Sequence, residues 1–172
     1  LQVSDSGDVD FLLYGYMNQG RHEGQVGIGL YHYSDEKGAL EERFFAPSVT
    51  TFESLKGDLE KLCYLSGGGM LYLMQDHAVY GIDLSSSEYI ILADSLEEGA
   101  FAISRDGRHF AWQDDQKHNQ ASYISLMDLE TGAKQTISAP EGDYIRSLGF
   151  VGGDFLYGLA HQDSSWTVNG RL

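Results

Sequence analysis

Apolar residues in this chain gather in short runs rich in Val, Ile, Leu, Tyr and Phe, separated by clusters of Gly, Asp and Ser. Runs of this kind bounded by turn formers read as β-strands. They fall into hairpins: LQVSDSGDVDFLLYGYM at the start, then LCYLSGGGMLYLMQ, AFAISRDGRHFAWQ and SLGFVGGDFLYGLA. Each of the first three is followed by a second hairpin: GIGLYHYSDEKGALEERFF, AVYGIDLSSSEYIILA and YISLMDLETGAKQTIS. One segment has the helical period instead. In residues 50–61, Phe52, Leu55 and Leu59, with Leu62 just beyond, recur at three- and four-residue spacing, which predicts a short amphipathic helix between units.

The first residues after the opening turns, Phe11, Met70, His109 and Phe155, recur at intervals of 59, 39 and 46 residues, the long first interval holding the helix. Four strands every 40 to 50 residues is the pattern of a β-propeller, whose blades hide their faces against one another. The expected fold is all-β: antiparallel four-stranded sheets arranged as a partial β-propeller of about three and a half blades, with one short inserted helix. A β-sandwich is the competing architecture. The chain is read as a single propeller-like domain, or a fragment of a larger one, with approximate units 1–49, 50–96, 97–140 and 141–172. Pro47 and Pro140 fall at unit boundaries, after strand-like segments. DFLLYGYM (10–17) and DFLYGLAH (154–161) then become the same second strand of two blades. This predicts Phe11 and Phe155 in inter-sheet packing, with Leu12 and Leu156 on the opposite faces. Three units and a half do not close a ring, so the terminal sheets are expected to form an arc with open ends.

In the third unit, Ser104, Asp106 and Gly107 lie between two apolar strands and are followed by Asp128, Leu129, Thr131 and Gly132. This resembles the propeller repeat of the TolB and dipeptidyl-peptidase IV N-terminal type, with Arg105 where that family prefers proline. The second unit keeps only Asp83-Leu84. The resemblance implies a binding scaffold, a docking platform or a gate beside a separate catalytic domain. As a whole, the chain is similar to the distal part of uncharacterised, membrane-anchored extracytoplasmic proteins of anaerobic Firmicutes. The residues of the motif themselves are turn formers: Asp-Gly and Thr-Gly supply the positive φ angles of two-residue hairpin loops.

A formal charge of −15, from 26 Asp and Glu against 11 Lys and Arg spread along the chain, argues against a nucleic-acid partner and against an anionic membrane surface. No run approaches the length of a membrane span. The chain begins LQVSDSGD without a methionine, so a leader, anchor or further domain is expected outside it. A single cysteine, Cys63 in KLCYL, excludes an internal disulfide and reads as a small buried hydrophobe whose thiol pKa is raised.

The residues offer little catalytic chemistry. His22, His32, His77, His109, His118 and His161 show no ligand spacing for a transition metal. Asp5, Asp8 and Asp10 beside Gly7 faintly resemble a calcium loop, but lack its bidentate acid, and read first as a turn. Serines in DLSSSEY and HQDSSW have no nucleophile setting, and the neighbouring acids Asp114-Asp115 and Glu97-Glu98 point to opposite faces if on a strand. The aromatic pairs Tyr14/Tyr16, Tyr31/Tyr33 and Phe110/Trp112 share faces by period two; most are expected in blade packing, and a minority on the rim to contact sugar or peptide. No catalytic, cofactor or metal residues are therefore assigned. The expected function is a non-catalytic recognition or protein-interaction module of a larger extracytoplasmic protein, anchored through a segment outside this chain. Its partner would be a protein, peptide or glycan, with a homodimer through the open terminal sheets. The alternative is an accessory propeller segment of a peptidase or glycan-active enzyme whose catalytic residues lie elsewhere.

Overall fold

A computed structural model describes residues 2–3, 6–86, 88–113 and 120–162. The chain forms antiparallel sheets in sequence order, and within each sheet every strand pairs with the next. The first sheet holds β1 (Gln2–Val3), β2 (Val9–Tyr16), β3 (Val26–Ser34) and β4 (Ala39–Pro47). After α1 (Phe52–Lys61) comes the second, with β5 (Cys63–Leu65), β6 (Met70–Gln75), β7 (Ala78–Asp83) and β8 (Tyr89–Ala93). The third holds β9 (Phe101–Ile103), β10 (His109–Gln113), β11 (Tyr123–Asp128) and β12 (Lys134–Ser138). The fourth pairs β13 (Asp143–Val151) with β14 (Asp154–His161). Among the described residues the fold is all-β, a partial propeller of about three and a half blades with one inserted helix.

The core lies between the sheets, and strand periodicity divides it. Along β6, Leu71 and Leu73 join Ile28 and Leu30 of the first sheet and Leu55 of the helix, whereas Tyr72 and Met74 join Phe110 and Trp112 of the third. β10 repeats the device: Phe110 and Trp112 face the second sheet, and Ala111 packs with Ile124 and Ile145 toward the fourth. A strand covered on both faces needs apolar residues at every position, which is why MLYLMQ and HFAWQ show no alternation. The outermost strands β8 and β12 are largely solvated, whereas β4 is half-buried from Glu42 to Ala46.

The helix begins where Thr51 accepts a hydrogen bond from the Ser54 N–H at 3.3 Å, and ends at Leu62, whose extended backbone still donates to the Asp58 carbonyl. Leu55, Leu59 and Leu62 enter the inter-sheet core as their spacing predicts. Phe52 stays half exposed and stacks on Tyr14, with ring centroids 5.6 Å apart.

Three expectations need correction. In the first sheet it is Leu12, not Phe11, that packs against the second sheet; Phe11 stacks on Tyr31 on the opposite face. Phe155 does enter inter-sheet packing and Leu156 is exposed, as expected. The first sheet has its packed neighbour after it in the order and the fourth has its neighbour before it, so the same side of the strand, carrying Phe11 in one and Phe155 in the other, is turned away from the second sheet in the first case and toward the third sheet in the second. Cys63 is exposed on the edge strand β5 rather than buried, though desolvation by nearby protein still pushes its thiol pKa up. Finally, the turns of the third unit each use a single left-handed glycine, Gly107 (φ 74°) and Gly132 (φ 75°), and neither Asp106 nor Thr131 has a positive φ. Ser104 N–H bonds the His109 carbonyl across a four-residue loop, one that needs the left-handed conformation once.

Candidate interaction surfaces

The repeat motif builds a polar seam between the second and third sheets. Ser104 donates to Asp106 at 2.6 Å and accepts from the His109 N–H, which closes the β9–β10 turn. Arg108 grips Asp128 with two bonds, Nε to Oδ1 at 3.0 Å and Nη2 to Oδ2 at 2.8 Å. Glu130, two residues on, accepts from Tyr64 Oη of β5 at 2.6 Å and from the Gly67 N–H in the β5–β6 turn. Charge and hydrogen bonding move these groups together. The Arg108 bonds hold the Asp128 carboxyl well below the usual carboxylate range, and the Tyr64 hydroxyl lowers Glu130. The bond to Glu130, followed by burial, pushes Tyr64 up to about 12. Each carboxylate is spent on a turn or a neighbouring sheet, so the seam is structural.

Two glutamines extend this joinery. Gln75 closes β6 and donates to the Pro47 carbonyl at 2.8 Å; Gln113 closes β10 and accepts from the Ser147 N–H at 3.1 Å. Both are buried and both tie neighbouring sheets. Sequence reasoning missed them, although each directly follows an apolar run, LYLM in β6 and FAW in β10, a signal in itself.

The histidines are dispersed. His32 bonds Asp10, directly opposite across β2 and β3, at 2.9 Å, and His161 bonds Asp143 opposite it at 2.7 Å. His77 contacts the Leu96 carbonyl, and His109 packs near Phe150. His118, Asp114 and Asp115 lie outside the described residues, as do Asp5, Ser87, Ser164 and Ser165. Of the calcium-like stretch, Asp8 accepts from Ser6 Oγ and the Asp35 N–H, while Asp10 is committed to His32. Among the described residues no three His, Cys, Asp or Glu side chains converge as metal ligands. Ser85 donates to Asp83 as part of a turn, and Glu97 and Glu98 are solvated.

The aromatic pairs divide. Phe110 and Trp112 stack at 4.8 Å in the core, with Lys134 Nζ 4.5 Å from the Trp112 ring centroid. Tyr31 and Tyr33 lie on the outer face of the first sheet, the one turned away from Leu12, Ile28 and Leu30. Register puts Phe11, Tyr31 and Glu42 in one row of this face and Leu13, Gly29 and Phe45 in the next. Tyr31 lies over Gly29, and Phe45 lies over Gly27, where glycine leaves room for a ring against the backbone. His22 stacks on Phe45 at 3.7 Å and bonds both Glu42 oxygens, at 2.9 and 3.0 Å. Around this aromatic centre Leu13 and Leu40 are 51% and 59% exposed.

At the other end of the molecule, Ile145, Phe150 and Phe155 pack against the third sheet. Leu148 and Val151 are left 64% and 65% exposed. Both terminal sheets thus present apolar side chains to solvent. Among the described residues no helix is long and apolar enough to cross a membrane.

No protein-family model matches the chain, and no curated protein matches it. Among solved structures, Porphyromonas gingivalis dipeptidyl peptidase 4 is similar over 95% of this chain and 31% of that one, at 12% identity and a TM-score of 0.38. A nidogen/laminin complex is similar over 91% of this chain and 59% of that one, at 10% identity and a TM-score of 0.30. Likeness this loose says nothing about activity, and the Firmicutes resemblance gains no support from it. The blade architecture is defined by the strand order and the layered core of the chain itself.

Proposed function

We propose that the chain is a non-catalytic recognition or protein-interaction module of a larger extracytoplasmic protein, and that its terminal sheets are where it meets other proteins. One observation carries this reading: the apolar outer faces of the first and fourth sheets, with Leu13, Leu40, Leu148 and Val151 half or more exposed. Contiguous apolar surface of this kind marks association sites. The extracytoplasmic setting follows the repeat resemblance. With no other partner present, two copies cover the faces, and the −15 charge opposes open-ended aggregation.

Light scattering over a concentration series tests the reading. The expected result is a reversible dimer that Leu13→Lys with Leu40→Lys dissociates without loss of near-UV circular dichroism. A strict monomer whose terminal strands resist hydrogen exchange as well as β6 and β10 would show the faces closed within the chain, and would overturn it.

A further inference from the structure

We propose that the cleft between β4 of the first sheet and β7 and β8 of the second holds an arginine side chain of a partner protein, its guanidinium against the tyrosine rings. This rests on the interaction-module reading but not on the terminal faces, and gives the module a second contact site with a partner chemistry of its own.

The cleft, about 220 Å³, is lined by Phe44, Ala46 and Pro47 of β4, by Tyr80 and Tyr89, and by Gln75 at the end of β6. It is smaller than the roughly 300–1,000 Å³ of sites for drug-sized ligands and suits one side chain. Register explains why it stays open. Tyr80 lies opposite Ile91 and Ile82 opposite Tyr89, so these four share one face, the face on which Ile82 packs with Ile28 and Leu30 of the first sheet. Ala46, beside Ile28 on the facing side of β4, is too short to fill the space. Tyr89 and Ile91 are left 59% and 54% exposed. The Tyr80 and Tyr89 rings, centroids 6.1 Å apart and inclined at 59°, form two aromatic walls.

The polar groups of the cleft ask for a donor. Gln75 is 4% exposed, and its Nε2 donates to the Pro47 carbonyl at 2.8 Å. That bond fixes the amide, because the flipped group would set two oxygens against each other. Oε1 is left buried with no hydrogen-bond partner, one of two such side-chain atoms among the described residues. A buried acceptor without a donor costs free energy that an incoming N–H recovers. The nearby charge is negative. Burial raises the Tyr80 pKa, and the charges of Asp76 and Asp94 raise it further, so both carboxylates act on this wall of the cleft. Among the described residues that line the cleft, none is a cation.

Arginine matches each of these features. It carries donors and no acceptor, its planar cation stacks on aromatic rings, and its stem packs on apolar surface such as Ala46 and Pro47. The −15 charge of the chain draws a basic partner toward it. An indole brings one donor and no charge, and a carboxylate is repelled.

The test is an NMR titration of the full chain with acetyl-Gly-Arg-Gly-amide, read at the Tyr80 and Tyr89 ring protons and the Gln75 side-chain amide. Saturable shifts at all three are expected. The citrulline peptide keeps the shape but not the charge and should bind about tenfold more weakly. Tyr89→Ser, at an exposed position, should weaken binding about fivefold while the amide spectrum away from β8 stays unchanged. Asp94→Asn, also exposed, should weaken it about threefold. Absent shifts, equal affinity for the citrulline peptide, tighter binding of acetyl-Gly-Trp-Gly-amide, or indifference to both substitutions overturns the proposal. So does a nuclear Overhauser contact, in the peptide-free protein, between residues 163–172 and the two tyrosine rings, which would show the cleft filled from within. A dimer dissociated by the Leu13 and Leu40 substitutions, with no response to the arginine peptide, would remove this proposal and leave the interaction module standing.

Discussion

At the residue scale, the glycines and carboxylates that matter are those whose neighbours leave no alternative. A Cβ on Gly27 would lie 2.4 Å from the Ala46 carbonyl oxygen and 2.7 Å from the Phe45 ring, and the first of these is backbone that cannot turn aside. Gly27→Ala should destabilise the chain by about 1–3 kcal/mol, read as a fall in the urea midpoint with unchanged slope. The Arg108–Asp128 pair makes a second prediction. Because Asp128 is held below its ordinary range in the folded state, its contribution is complete above the unfolded value of about 4 and is lost as pH falls through the folded one. Asp128→Asn should therefore lower the urea midpoint at pH 7, and the gap from the parent should close steadily below pH 4. A gap that stayed constant into acid would mean that the pair contributes packing rather than charge.

The helix and the strands it joins carry their own consequences at the element scale. Gly57 sits inside α1 with nothing within 4 Å of an added Cβ, so Gly57→Ala should stabilise by about 0.5–1 kcal/mol through helix propensity alone. Thr51→Ala removes the cap on the Ser54 N–H and should cost about 1 kcal/mol. Thermal melts of the two single variants, displaced in opposite directions, check both. The strands, the helix and the order of pairing were legible beforehand because turn residues and periodicity act locally. The facing of β2 was not. Whether Phe11 or Leu12 is covered depends on which side of its sheet the neighbouring sheet lies, and the strand signal is the same either way. Cys63 was misplaced for a related reason: an apolar neighbourhood in sequence does not reveal that its strand lies at a sheet edge.

On the scale of the whole molecule, stability follows the layers. Phe110 is fully buried between the second and third sheets and stacks on Trp112. Phe110→Ala should cost about 3–5 kcal/mol in equilibrium unfolding, more than any truncation on the solvated outer strands. The sequence by itself determined what short-range chemistry can determine: an all-β chain, its strands and helix within a few residues, the repeat, the acidic surface, and turns closed by Gly107 and Gly132. Tertiary structure alone decided which face of each strand is inward, how Gln75 and Gln113 bind one sheet to the next, and how Arg108, Asp128, Glu130 and Tyr64 meet across a seam. It also decided which apolar residues stay exposed, on the two terminal sheets and along β8. The physical reason is the range of the interactions: strand and turn preferences are set by neighbours along the chain, whereas burial, pairing register and an open edge are set by residues distant in sequence.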